Sequence, residues 1–210
     1  MKGDKTLWTA REAGLLRRLK TPVEIQEYLN SLAYDAAPGT ASPRRVLRKK
    51  RANCFEGALL AAAALRVHGR PPLLVDMRSR NDDDHVLAVF RRNGAWGCVA
   101  KSNFTVLGFR EPVYRTIREL MASFFDVFFN TIGEKTLRHY SVPFDLRRFD
   151  DRGWMTTEDD VSWIGDALDR ARHYPFLTRA QVRSLATADP ALVKAGLLGA
   201  DGAGLYKPGR

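Results

Sequence analysis

The stretch "RANCFEGALLAAAALRVHGRPPLLVDM", residues 51–77, decides the fold. Asn53 is a good helix N-cap, because its side-chain oxygen accepts one of the unpaired first-turn N–H groups. Residues 54–68 are strong helix formers, and Gly69 supplies a natural C′ stop. With Leu59, Leu60, Leu65 and the alanines 61–64, this helix is apolar nearly all round, so it is expected to be the central buried helix. "PPLLVDM" then reads as a strand after a proline stop. Cys54 is the first helical residue, where unpaired N–H groups and the helix dipole favour a thiolate. The competing expectation is a small core residue, since cysteine is among the most buried residue types.

Upstream, "TPVEIQEYLNSLAYD" opens with a capping box of Thr21, Pro22 and Glu24, and Val23, Ile25, Tyr28, Leu29 and Leu32 form its expected buried stripe. Residues 1–20 read as a short helical lead-in, and "APGTASP" as loop. Downstream, "HVLAVF", Asn93-Gly94 and "AWGCVA" read as a β-hairpin, because Asn-Gly suits the tight turn between apolar runs. Both faces of these strands are apolar, so the sheet is expected to be covered on both sides. "PVYRTIRELMASFFDVFFN" patterns as one amphipathic helix, with Val113, Ile117, Leu120, Met121, Phe124, Phe125 and Phe128 on one face. "TTEDDVSWIGDALDRARHY" patterns as another, residues 178–198 as short helices, and "GADGAGLYKPGR" as a frayed end. The expectation is one α+β domain: a core over about 21–150, a helical extension over 151–198 and a tail over 199–210.

The 210 residues are 45% apolar and 28% charged, an ordinary globular balance. No apolar run approaches the roughly 20 residues that span a bilayer. "MKGDKTLWTAREAGLLRRLK" lacks the apolar core of a signal peptide, so a cytoplasmic location and no membrane partner are expected. Two cysteines give no disulfide framework, and with four scattered histidines no zinc spacing. Neither a metal nor a cofactor is expected. Asp82, Asp83 and Asp84 offer hard oxygen ligands, but consecutive residues converge poorly and further ligands are not evident. The net charge of +10 favours acidic partners. Its densest run, "PRRVLRKKR", carries Arg44, Arg45, Arg48, Lys49, Lys50 and Arg51. It reads either as a phosphate or nucleic-acid patch or as a solvated face, and no aromatic residues interleave with it to stack bases.

A thiolate nucleophile needs a base, normally histidine, and a group that orients the imidazole. His68 lies at the far end of the cysteine helix, about 20 Å away by helix rise. His139 and His173 sit in polar, arginine-rich segments without strand context. His85 opens a strand after "NDDD" and is the best candidate. The order is "CFEGALLAAAALRVHG", then a strand, then "HVLAVFRRNGAWGCVAKSN". Over about residues 50–105 it resembles the transglutaminase-like branch of the papain-like cysteine fold, and the flanks suggest a distinct bacterial subfamily. The resemblance implies a papain/transglutaminase-like core, with a Cys54 helix packed on an antiparallel sheet. Two departures stand out. Val86 and Leu87 replace the aromatic residue common after the histidine, and no aspartate stands where the third partner is expected.

The third member is therefore open. Asn103 is the nearest amide and matches the papain-like Cys–His–Asn variant. A two-residue turn pairs Arg92 with Ala95, which puts His85 opposite Ser102, so Asn103 needs a bulge. Lys101 would fall opposite only with a three-residue turn, and its charge would oppose an imidazolium. The aspartates 82–84 are a further source of a carboxylate. Cys98 and "SFFDVFF" read as core, and Glu56 as a helix-start carboxylate.

The resemblance implies acyl transfer on a peptide or amide substrate by Cys54 and His85, with Asn103 or its rival Ser102 holding the imidazole. Arylamine acetyltransferases share the Cys–His–Asp order, but their arginine-glycine-rich approach is not present in "KKRANC". The non-enzyme alternative is a transglutaminase-like scaffold with an incomplete triad, binding acidic or nucleic-acid partners through the basic run.

Overall fold

A computed structural model describes residues 8–208. Its helices are α1 (Ala10–Arg18), α2 (Pro22–Ser31), α3 (Pro43–Lys49), α4 (Cys54–Val67), α5 (Ile117–Phe125), α6 (Ser162–Asp169), α7 (Arg179–Arg183) and α8 (Pro190–Gly196). The strands are β1 (Ala33–Tyr34), β2 (Arg51–Ala52), β3 (Leu73–Ser79), β4 (His85–Arg92), β5 (Ala95–Val99), β6 (Arg110–Tyr114), β7 (Leu137–Ser141), β8 (Phe144–Asp145) and β9 (His173–Pro175). The fold is α+β. A seven-stranded antiparallel sheet runs β6-β5-β4-β3-β7-β9, with β8 added to β3.

Helix α4 is the centre of the molecule. Asn53 and Glu56 form its capping box, and every residue from Glu56 to Leu65 is buried. Its apolar surface packs with Leu74, Val86, Ala88 and Phe90 on one face of the sheet. The other face, with Val75, Met77, Leu87, Val89 and Cys98, is covered by Leu120, Met121, Phe124 and Phe128. The sheet is thus buried on both sides, as the two-sided apolar strands require. Among the described residues, no helix is long and apolar enough to cross a membrane.

The hairpin forms with Arg92 paired to Ala95, and Asn93 and Gly94 both at positive φ, the geometry of the type I′ turn. The Thr21 capping box and Pro22 start α2. Its stripe differs from expectation at Val23, which is exposed, while Gln26 is buried. The aromatic-rich stretch is not one helix. Thr116 caps α5, so the helix begins at Ile117, and Val113 lies on β6 with 67% exposure. Pro112 fits there because β6 is an edge strand that can spare a ladder N–H. The later helix is shorter than its charge pattern suggests: α6 ends at Asp169, and His173–Pro175 pairs with β7 instead. Of the expected lead-in, Ala10–Arg18 is helical, and residues 1–7 lie outside the described residues.

Candidate functional site

The α4 N-terminus is held by buried polar contacts. Glu56 accepts hydrogen bonds from Lys49 Nζ (2.8 Å) and the Ala41 N–H (2.7 Å), and Lys49 also reaches Asp35 at 2.7 Å. The basic run is thereby largely spent within the fold. Arg44 pairs with Glu12, Arg48 with Glu158, and Lys49 and Arg51 with Asp35. Arg45 donates to the Asp159 carbonyl, and Lys50 is exposed. A carboxylate beside most of these cations lowers the attraction that the run alone would exert on an acidic partner.

Beyond Val99, β5 leaves β4. The buried side-chain amide of Gln26 takes both backbone groups of Ala100, accepting from its N–H (3.0 Å) and donating to its carbonyl (2.8 Å). The ladder that would bring Ser102 opposite His85 therefore stops. Ser102 Oγ accepts from the Phe104 N–H, and Asn103 is bonded to the backbone of Asp201. Neither hydrogen-bonds to His85. Lys101 is buried and donates to the Leu32 carbonyl at 2.6 Å.

Cys54 comes to the side of β4 where that ladder stops. Its Sγ lies 3.7 Å from the Asp84 carbonyl, and the Val86 N–H is also directed at it. These two groups flank His85 in the chain. Burial pushes the thiol up to about 11, opposed by the N–H groups of Val86 and Phe55 and reinforced by the Asp83 carboxylate. Cys54 is nonetheless only half-buried as a residue.

His85 sits opposite Met77 on β3 and is buried, with the Phe128 ring edge-on at 6.4 Å. Its orienting partner is the backbone carbonyl of Leu107, 3.0 Å from Nε2. A carbonyl only accepts, so this bond assigns the proton of the neutral ring to Nε2 and makes Nδ1 the basic nitrogen. Among the described residues, Nδ1 takes no hydrogen bond from the chain. Burial, with the Arg110 charge as a minor contributor, pushes the imidazole down to about 4. At neutral pH the pair is therefore thiol and neutral imidazole.

Cys54 and His85 line one hollow of about 50 Å³, together with Ser102, Asn103 and Phe128. It adjoins a cleft of about 700 Å³ bordered by Tyr34, Cys54, Asp83, Asp84 and residues 203–207. The acidic run splits in role. Asp84 accepts from the Ser79 N–H at 2.7 Å, and Asp82 from Thr136 Oγ1 at 2.8 Å. Burial, helped by its two acidic neighbours, pushes Asp82 up to about 6. None of these carboxylates bonds to His85, and among the described residues no three His, Cys, Asp or Glu side chains are placed to hold a metal ion.

The pairing of His173 with Asp76 is not anticipated by the sequence reading. His173 lies on β9, and Nε2 meets Asp76 Oδ2 at 2.9 Å while Nδ1 meets the Ala171 carbonyl at 2.8 Å. A signal is present in "LLVDM", because a carboxylate inside an apolar strand needs a buried partner. Leu107 leaves no signal, since its carbonyl does the work. Where the expected frayed end is described, residues 203–207 border the cleft and Asp201 is held by Asn103; residues 209–210 lie outside the described residues. No family model matches the chain, and no curated protein matches it in sequence.

Proposed function

We propose that the protein is a cysteine-dependent acyl-transfer enzyme on a papain/transglutaminase-like core, acting on an amide or ester with Cys54 as nucleophile and His85 as general base and acid. The observation that carries this reading is the shared hollow. Its lining includes both the first residue of a capped, buried helix and a histidine whose Nε2 is fixed, which leaves Nδ1 as the nitrogen for proton transfer.

In the reaction, Sγ adds to the carbonyl carbon while its proton passes to Nδ1 of His85. The first-turn N–H groups of Cys54 and Phe55, which the Asn53 cap does not take, stabilise the oxyanion. The intermediate collapses as the C–N or C–O bond breaks, and the imidazolium returns its proton to the leaving group. Water or an amine then loses a proton to Nδ1 and attacks the thioester, and Cys54 leaves as the thiol. A thiol near 11 and a base near 4 disfavour a resting ion pair. Charge separation then falls to the moment of attack, when the N–H groups meet a developing anion.

A binding scaffold is the second reading, and one observation favours it. His85 is held by a carbonyl, with no carboxylate or side-chain amide behind it among the described residues. One experiment decides between them. The full chain is incubated with p-nitrophenyl acetate and analysed by intact and peptide mass spectrometry. An acetyl thioester on Cys54, absent from Cys54→Ala, is the expected result. No adduct, or the same adduct level in Cys54→Ala, leaves the scaffold.

A further inference from the structure

The wall of the cleft facing Cys54 is made by the chain itself. Residues 203–207 border the larger cleft, and Gly204 and Tyr206 also border the hollow that holds His85. This segment is gripped by its backbone. The Asn103 side chain accepts from the Asp201 N–H at 2.8 Å and donates to the Asp201 carbonyl at 2.9 Å. Thr131 Oγ1 donates to the Tyr206 carbonyl at 3.4 Å, and Thr105 Oγ1 fixes the Leu198 carbonyl, just before the segment, at 2.6 Å. Residues 202–204 make one 3-10 turn within it, and contacts to main-chain groups hold it with little regard to its sequence.

One position is selective. A Cβ on Gly204 would collide with the Tyr34 ring, 2.6 Å from Cδ1, and would lie 3.1 Å from Asn103 Nδ2. Gly204 is not at positive φ, so space and not backbone conformation demands glycine there. Gly199, at φ +74, lies three residues beyond the end of α8 with open space around it and is a natural pivot for the residues beyond it.

We propose that the segment 200–208 is a strap occupying, in cis, the polypeptide groove of the Cys54 site, and that this groove selects glycine at the point where Tyr34 meets Asn103. The inference rests on the acyl-transfer reading for its substrate class: a polypeptide with an unbranched Gly beside the reacting thiol. Small molecules still enter the open cleft, whereas a second polypeptide requires the strap to swing away at Gly199.

The test compares Cys54 labelling by a polymer-linked maleimide with labelling by N-ethylmaleimide. It uses the full chain, Gly204→Val, and a chain cut after Leu198. The large-to-small rate ratio is expected to rise about tenfold or more in both variants, since protection depends on the closed-to-open ratio. An unchanged ratio in folded variants overturns the strap, and so does unfolding of both, which would make the segment part of the core. In trans, the peptide GADGAGLYKP is expected to restore protection to the cut chain, and its counterpart with valine at the Gly204 position is not. Equal protection by both peptides, or by neither, overturns the glycine selection. Thiol labelling needs neither His85 nor turnover, so the strap and the acyl-transfer reading fail separately.

Discussion

His85 and His173 stand on opposite faces of one sheet. Met77 pairs with His85, while its neighbour Asp76, on the other face of β3, holds His173. His173 has the partner usually sought behind a catalytic imidazole, a buried carboxylate. Both of its nitrogens are taken, so it can only hold β3 and β9 together across β7. His85 has the lesser partner, a carbonyl, but lines the same hollow as Cys54 with Nδ1 free of chain hydrogen bonds among the described residues. The difference teaches that a carboxylate near a histidine marks a site only when the other nitrogen is left to react.

Breaking the His173 side should be the costlier change. Asp76→Ala leaves His173 and Arg78 without their buried acceptor, and a loss of about 3 kcal/mol is expected by urea unfolding. A loss well under 1 kcal/mol would remove the pair from the structural frame.

The His85 side is sharpened by pH. The folded chain protonates His85 only near pH 4, whereas the free imidazole takes its proton near 6.5. Acidification between those values therefore favours the unfolded chain, by roughly 3 kcal/mol at about 1.36 kcal/mol per unit. Asp82 acts in the opposite sense. It is protonated at about 6 when folded and at 3.8 otherwise, so acidification through that window favours the folded chain. The two largely offset in the native chain. His85→Gln removes the first and leaves the second, so this variant should gain roughly 3 kcal/mol relative to the native chain between pH 6.5 and pH 4. Parallel stability curves for the two chains would contradict a buried, neutral His85.

Gln26→Ala breaks the amide clasp on Ala100, and about 2 kcal/mol of stability should go with the two buried hydrogen bonds. With β5 no longer drawn off, the Cys54 hollow should change as well, read as an altered N-ethylmaleimide rate. A smaller effect is expected from Asn53→Ala, about 1 kcal/mol, the usual cost of a lost N-cap.

The elements that position Cys54 were legible because their signals are local. Asn53 and Gly69 bound the helix, its alanines allow close packing, and Asn93-Gly94 fixes the hairpin register. What joins the site was not legible, because it depends on backbone groups and distant segments. Gln26, 74 residues before Ala100, ends the ladder and keeps Ser102 away from His85. Leu107 orients the imidazole through an atom every residue has. Residues 200–208, apolar-poor and glycine-rich, read as a loose end, yet glycine is what lets them lie against Tyr34.

The most direct test is the initial rate of Cys54 acylation by p-nitrophenyl acetate in the native chain, His85→Gln and His173→Gln. A fall of about 100-fold in His85→Gln, the scale of a lost general base, with His173→Gln within about twofold of native, is the expected result. An unchanged rate in His85→Gln would contradict the assignment of His85 as the base of Cys54.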